Sequence, residues 1–160
     1  MRFFLRESAA GFSFVELLIA SALILVLASA AVPLTQVTIQ RQKEIELKRS
    51  LRILRSAIDS YKDAVDLGEI DNDVEDGDET GYPPDLEILV TGVETLSEGS
   101  GARRKFLRRI PVDPFTGDWN WGLRSYEDSA TASRWGGGNV YDVYSTNRGR
   151  ALNGTRYRDW

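Results

Sequence analysis

The residue with the clearest chemical potential in this sequence is Glu16, a single carboxylate inside an apolar stretch that covers residues 12–32. On membrane-insertion scales a charged side chain in hydrocarbon costs about 2.5–3.5 kcal/mol, so it persists where it has a partner or a function. The chemistry it offers is ionic, because its carboxylate can pair with a cationic group of another molecule. We therefore expect a functional role for Glu16.

Side chains suited to acid–base or nucleophilic catalysis are scarce elsewhere. The chain has no histidine and no cysteine, which removes the commonest general base and any disulfide. Four aspartates of the C-terminal half could pair as acid and base, but turns and strand edges explain them: Asp113, Asp118, Asp128 and Asp142. We expect no catalytic residue, which disfavours a membrane-anchored enzyme. A lone anchored binding domain is a third possibility.

A short leader precedes the apolar stretch. It carries Arg2 and Arg6 and ends at Gly11, and Phe12 follows immediately. Together with Glu16, this pattern resembles the class III signal of type IV pilins and type II secretion pseudopilins. The resemblance implies that residues 1–11 are a leader peptide, that a prepilin peptidase cuts after Gly11, and that the new N-terminal Phe12 is methylated. It also implies that Glu16 pairs with the freed amine of Phe12 in a neighbouring copy during assembly.

Two other interpretations of this segment stay open. A secretory signal peptide would also have basic residues and an apolar core, here residues 17–27, and Ala28-Ser29-Ala30 supplies a small-x-small cleavage site. Glu16 interrupts the start of that core, and a helical pattern continues past Pro33, so we disfavour this interpretation. A plain, uncleaved signal anchor is the other alternative.

Residues 12–33 have the length and apolarity of a membrane-spanning helix, which needs about 20 residues. The leader arginines place the N-terminus in the cytoplasm and the remaining chain outside it. Pro33 lacks a backbone donor and clashes with the preceding turn, so we expect a helix kink there. The resemblance adds melting of this stretch on filament packing, which stays open.

Residues 34–67 are predicted to continue the helix in amphipathic form. Apolar residues spaced four and three apart form one stripe, which comprises Leu47, Leu51, Leu54, Ile58, Tyr61 and Val65. The opposite face is charged, and we expect pairs along the helix such as Glu44 with Lys48 and Asp59 with Lys62.

Two oppositely charged segments follow the helix. Residues 66–79 hold eight acidic side chains and no basic one. Their spacing does not match an EF-hand, so we predict a solvated loop. Residues 103–109 hold five basic side chains. These form either a solvated helix face or a partner surface for acidic residues of a neighbouring copy.

The globular part is assigned to residues 68–160. A short helix is predicted after Tyr82-Pro83-Pro84-Asp85, a turn at 110–117, and strands at 119–123 and 139–145. A small antiparallel sheet lying across the helix stripe would bury both surfaces, which gives an α+β fold. The tryptophans and tyrosines here are interpreted as packing residues.

The C-terminal half resembles the major pseudopilin of type II secretion systems, through the turn at 111–117, the strand at 141–145 and Trp160. That family's major subunits bind calcium through several aspartates in the final loop. Here the oxygen donors are only Asn147, Asn153 and Asp159, with four arginines nearby. Calcium prefers clustered carboxylates, so we disfavour it and expect no cofactor. An arginine–aspartate and aromatic network is the expected brace for the loop.

The resemblance implies a pilin-like fold, with a long N-terminal helix packed against the C-terminal sheet, and a structural function. The subunit would be stored in the bacterial inner membrane with its C-terminal domain in the periplasm. After cleavage it would assemble with copies of itself, minor pseudopilins and an inner-membrane assembly platform into a filament for protein export. A type IV pilus subunit for adhesion, motility or DNA uptake is the alternative. No nucleic acid is expected as a partner in the leading interpretation, since no long basic surface is evident and the net charge is −4.

Overall fold

A computed structural model of the chain describes residues 11–71, 79–96 and 102–160, without the side chains of residues 30–34. The chain divides into two compact units, Met1–Ile39 and Gln40–Trp160. Most of the expected leader and part of the acidic segment 66–79 lie outside the described residues.

Helix α1 covers Phe14–Asp66. It begins where the carbonyl of Ser13 accepts a hydrogen bond from the backbone N–H of Leu17, at 3.1 Å. In the first unit its large apolar side chains are exposed, from Phe14 to Leu27. Among the described residues, no helix has both the length and the apolarity needed to cross a membrane.

The expected span at 12–33 includes positions 30–33, whose side chains lie outside the described part of the structure. The backbone is helical through these positions. The span and the kink at Pro33 stay predictions.

The core of the second unit is built on the predicted stripe of α1, which the structure confirms. Five of its side chains are at most 2% exposed, namely Leu47, Leu51, Leu54, Ile58 and Tyr61. Val65 is half-buried against the same core. Leu89, Val140, Val143 and Tyr157 come from the rest of the domain and complete the core. Burial of these side chains supplies the main driving force for docking the domain on α1.

The described residues form two separate two-stranded antiparallel sheets. Strand β1, Val93–Glu94, pairs with β2, Arg103–Arg104. Strand β3, Gly122–Arg124, pairs with β4, Asp142–Tyr144. The α+β assignment therefore stands as a helix with small antiparallel sheets.

The paired strands are shorter than the predicted strands at 119–123 and 139–145, and β3 ends one residue beyond the predicted limit, at Arg124. Pairing starts late because the N–H of Val140 donates to the carbonyl of Pro83, at 2.8 Å, outside any strand. Within the pair, Gly122 lies opposite Tyr144. A Cβ at position 122 would lie 2.3 Å from the Tyr144 ring, so this register requires glycine.

Helix α2, Ile88–Thr91, is the short helix predicted after the Pro83-Pro84 pair. The carboxylate of Asp85 accepts a hydrogen bond from the N–H of Ile88, at 2.8 Å. Leu89 of this helix is buried, as is Leu86 just before it.

The interpretation of the basic segment as a helix face was wrong. Arg103 and Arg104 form strand β2, and residues 105–110 have no helix. The backbone N–H groups of Phe106 and Leu107 both donate to the carbonyl of Leu89, at 2.9 and 2.8 Å. These long-range bonds hold the segment against α2 on a non-helical path, which local sequence preference does not reveal.

The charged face of α1 is also used differently from the prediction. Lys62 pairs with Asp66 instead of Asp59. Glu44 accepts a hydrogen bond from the C-terminal loop, residues 146–160, and does not pair with Lys48. Lys48 lies 4.4 Å from the ring centroid of Trp160. Tertiary partners have replaced the expected pair of Glu44 with Lys48, whereas Lys62 keeps an intrahelical partner.

Candidate functional site

The expected processing and assembly residues lie together at the start of α1. Gly11, Phe12 and Ser13 precede the helix, and Glu16 lies in its first turn. The Phe12 side chain is 83% exposed, and Glu16 is exposed as well. No hydrogen bond or ion pair joins Glu16 to another described residue. Its carboxylate is therefore accessible to a partner, and an acid at this position also interacts favourably with the helix dipole.

A second signal at this site was missed by the sequence reasoning. Ser13 is the residue whose carbonyl accepts the first helical hydrogen bond. Ser13 and Glu16 thus stand at the N-cap and third positions of a capping box, S-x-x-E. Among the described residues no side-chain hydrogen bond closes this box. The pattern nevertheless gives Glu16 a local alternative to the intermolecular role.

The three oxygen donors considered for calcium are engaged within their own turns. Asn147 Oδ1 accepts a hydrogen bond from the N–H of Gly149, at 2.7 Å. Asn153 Oδ1 accepts from the N–H of Thr155, at 3.0 Å, and from its hydroxyl. Asp159 lies 3.5 Å from the guanidinium of Arg158.

Arg124 lies at the centre of the C-terminal domain and is only 5% exposed. Its guanidinium donates to the carbonyls of Ala132 and Arg158, at 3.1 and 3.0 Å, and to Asp142 Oδ2, at 3.0 Å. The same group lies 4.2 Å from the ring centroid of Tyr144. One buried cation thus joins strand β4, the 125–136 segment and the end of the C-terminal loop.

Asp142 is held between two arginines. Its Oδ1 atom accepts from Nε of Arg55, at 2.7 Å, and its Oδ2 atom accepts from Arg124. Arg55 also donates to the carbonyls of Val143 and Trp160, at 3.2 and 2.7 Å. The carboxylate therefore links α1 to the sheet, and through Arg55 to the chain at Trp160.

Glu44 anchors the other side of the loop. Its Oε1 atom accepts from the N–H of Leu152, at 2.8 Å, from the hydroxyl of Tyr157, at 3.1 Å, and from Gln40, at 3.3 Å. Burial raises the pKa of the Tyr157 hydroxyl, the hydrogen bond from Gln40 lowers it, and Glu44 raises it further. The phenol therefore stays protonated and donates to Glu44.

Aromatic packing completes this brace. Tyr157 stacks on Phe115 with ring centroids 4.1 Å apart and meets Trp160 edge to face at 5.2 Å. An arginine–aspartate and aromatic network does brace the loop, as expected, although its members Arg55, Arg124, Asp142 and Glu44 were not identified from the sequence. No spacing rule could have found them, because Glu44 and Leu152 are far apart in the sequence.

The four aspartates considered for catalysis each have a structural partner. Asp113 is 1% exposed, and its carboxylate accepts from the hydroxyl of Ser145, at 2.5 Å, and from the N–H of Phe115. Asp118 accepts from Thr116 and Asn120, and Asp142 is bracketed as described above. Backbone hydrogen bonds from Ser125 and Gly136 lower the pKa of the Asp128 carboxyl. No two of these aspartates hydrogen-bond to each other.

The set of oxygen donors formed by Asn147, Asn153 and Asp159 does not fit calcium. Its one carboxylate, Asp159, faces an arginine, and the amide oxygens of Asn147 and Asn153 already accept backbone hydrogen bonds. The described ranges hold no group of three or more acidic, histidine or cysteine side chains arranged for a metal ion. Besides the loop's own arginines, Arg55 and Arg124 bring positive charge to its carbonyls at Trp160 and Arg158.

No family model, curated protein or solved structure matches this chain.

Proposed function

We propose that this protein is a structural subunit of a type II secretion pseudopilus. A prepilin peptidase removes residues 1–11 and methylates Phe12, and the processed subunits assemble into a helical filament that serves protein export. Before assembly the subunit resides in the bacterial inner membrane through residues 12–33, with a cytoplasmic N-terminus and a periplasmic domain. Its partners are other copies, minor pseudopilins and the inner-membrane assembly platform.

The observation that carries this proposal is the N-terminal pattern of Gly11, Phe12 and Glu16 ahead of an apolar run. Glu16 is exposed at the start of α1 and has no partner among the described residues, as an intermolecular contact requires. Burial of its charge in a filament would be offset by the amine of Phe12 in the next copy, since a buried charge needs a pair.

The domain architecture supports the same proposal. A stripe of α1 is covered by a domain with small sheets, and a bracing network ties the C-terminal loop to the helix. A pilin-like fold, with one long helix that extends from the apolar segment into the domain, belongs to the proposal. A type IV pilus subunit is the second candidate, because the N-terminal pattern is common to both systems.

The deciding experiment is mass spectrometry of the N-terminus of the protein isolated from its native cells. The proposal expects a peptide that begins at a methylated Phe12. An N-terminus at Ala31 would indicate ordinary secretion, and an intact Met1 would indicate a plain anchor, so either result contradicts the proposal. Deletion of the prepilin peptidase serves as the control, because it should restore the uncut N-terminus.

A further inference from the structure

A groove of about 910 Å³ lies between α1 and the segment 106–112, all within the second unit. Its apolar lining includes Ile45, Ile53 and Val112, which are 64%, 40% and 48% exposed. Exposed aliphatic side chains on facing walls mark a surface suited to association.

The walls of the groove are firmly held. On one side is α1, whose neighbouring stripe is fully buried. On the other, the N–H groups of Phe106 and Leu107 donate to Leu89, and the indole of Trp121 donates to the carbonyl of Pro111, at 2.9 Å. The groove therefore exists before any partner binds, which lowers the entropic cost of association.

The rim of the groove is basic. Arg49, Arg108 and Arg109 are exposed along it, with Glu46 as the acidic member. No ion pair joins these three arginines to another described residue. The groove thus favours an occupant with acidic side chains.

The same chain carries a complementary acidic surface. Asp59, Asp63 and Asp66 are exposed at the far end of α1, spaced four and three apart and therefore on one face of the helix. Glu79 is exposed beyond them, and Lys62 pairs with Asp66.

These acids cannot occupy the groove of their own molecule. They belong to the same rigid helix as Arg49, and Asp66 lies about 25 Å further along its axis. Two copies displaced along this axis would bring the acidic surface of one to the groove of the other. A contact between two different surfaces is heterologous, and repeated without closing it produces an open filament.

We propose that the groove receives the acidic end of α1 from a second copy of this chain. The inference rests on the proposed role as a filament subunit and names a contact between its domains. Ion pairs at the rim set the register of the copies, and the aliphatic lining contributes the buried area.

Engineered cysteines provide a direct test, because the chain has none of its own. Full-length Val112→Cys and Asp63→Cys proteins carrying different tags are mixed in membranes and treated with a short thiol cross-linker. We expect a mixed product that clearly exceeds both same-site products. Ser133→Cys, an exposed position that lines neither surface, replaces Asp63→Cys as the matched control.

Charge reversal and added salt test whether ion pairs at the rim produce the mixed cross-link. We expect Arg108→Glu with Arg109→Glu to reduce the mixed product about tenfold, since like charges then meet. Asp59→Arg with Asp66→Arg in the other copy should restore it. Raising salt from about 0.1 M to about 1 M should also weaken it, because the Debye length falls from ~10 Å to ~3 Å.

A mixed product no greater than the Ser133→Cys control would overturn the proposal, as would charge reversal without effect. Predominant cross-links between two copies of the Val112→Cys protein would place the groove at a self-complementary contact and overturn it too. The cross-link does not require processing at Gly11. An unprocessed protein that still gives the mixed product rejects the pseudopilus function and keeps the domain contact. A processed protein that gives no mixed product keeps the pseudopilus function and rejects the domain contact.

Discussion

At the scale of single residues, the decisive question is what the charge of Glu16 does. Its position at the third residue of α1, three after Ser13, suits a capping role that glutamine can fill equally well. Pairing with the amine of a neighbouring Phe12 requires the negative charge itself. Two substitutions therefore separate the local role from the intermolecular one.

We predict that Glu16→Ala and Glu16→Gln both leave leader cleavage intact and abolish filament assembly. Glutamine retains the size and the capping capacity of glutamate, so its failure would be due to the lost charge. The measurement is sheared-filament recovery beside N-terminal mass spectrometry, with Ser13→Ala as the matched control that removes only the hydroxyl at the N-cap position. Normal filaments from Glu16→Gln would reject the pairing.

Asp128 offers a pH test of a single carboxylate. Backbone N–H groups of Ser125 and Gly136 donate to its Oδ2 atom, at 2.8 and 3.0 Å, and they lower its pKa in the folded state. A lowered pKa stabilises the fold above the unfolded-state value, and this contribution is lost as pH falls through the folded value.

We therefore predict that Asp128→Asn lowers the melting temperature at neutral pH and that the difference disappears as the pH falls below about 4. Asparagine keeps an oxygen acceptor, so the comparison isolates the charge. Thermal unfolding of both proteins across this range is the measurement. A difference that stays constant with pH would show that the carboxylate charge contributes nothing.

At the scale of elements, α1 carries two functions on neighbouring faces of its second half. One face is buried beneath the domain through Leu54 and its companions, and the next is exposed in the groove through Ile45 and Ile53. Stability and association are thereby assigned to different side chains of one helix.

Adjacent substitutions test this separation. We predict that Leu54→Ala destabilises the domain by about 2–5 kcal/mol, because it leaves a cavity at a position with no solvent exposure. Ile53→Ala should change stability by no more than about 0.5 kcal/mol and reduce the groove cross-link instead. Denaturant unfolding in detergent measures the first effect. Equal destabilisation by both changes would contradict the assignment.

At the scale of the whole molecule, the C-terminal loop is held by the chain's own cations. Arg55 and Arg124 bracket Asp142, and they donate to the carbonyls of Trp160 and Arg158 at the end of the loop. Because guanidinium groups stay protonated at all ordinary pH values, we expect this brace to persist across that range.

We predict that removal of divalent cations by a chelator leaves the melting temperature unchanged, and that added calcium does not raise it. Arg124→Met should destabilise the protein by about 1–3 kcal/mol, since it leaves buried acceptors unpaired. Differential scanning calorimetry compares the untreated protein, the protein with chelator, the protein with added calcium and the Arg124→Met variant. A clear rise in melting temperature with calcium would contradict the internal brace.

Several features of the fold were predictable from local pattern. The stripe from Leu47 to Tyr61 follows helical spacing, and short strands near 122 and 142 follow their β-forming residues. The interpretation of segment 103–109 as a helix face was wrong because its basic residues carry no local preference strong enough to indicate the path against Leu89.

Two features follow from the sequence alone, namely which face of α1 is buried and that Glu16 is the one charge in the apolar segment. The buried face is readable because helical periodicity relates residues only three or four apart. The tertiary structure alone decided that Asp142 lies between Arg55 and Arg124, that Glu44 holds Leu152 and Tyr157, and that a basic groove opens beside Arg109. Each of these joins groups far apart along the chain. Such contacts form only when burial of the core brings distant backbone segments together, and no local spacing records them.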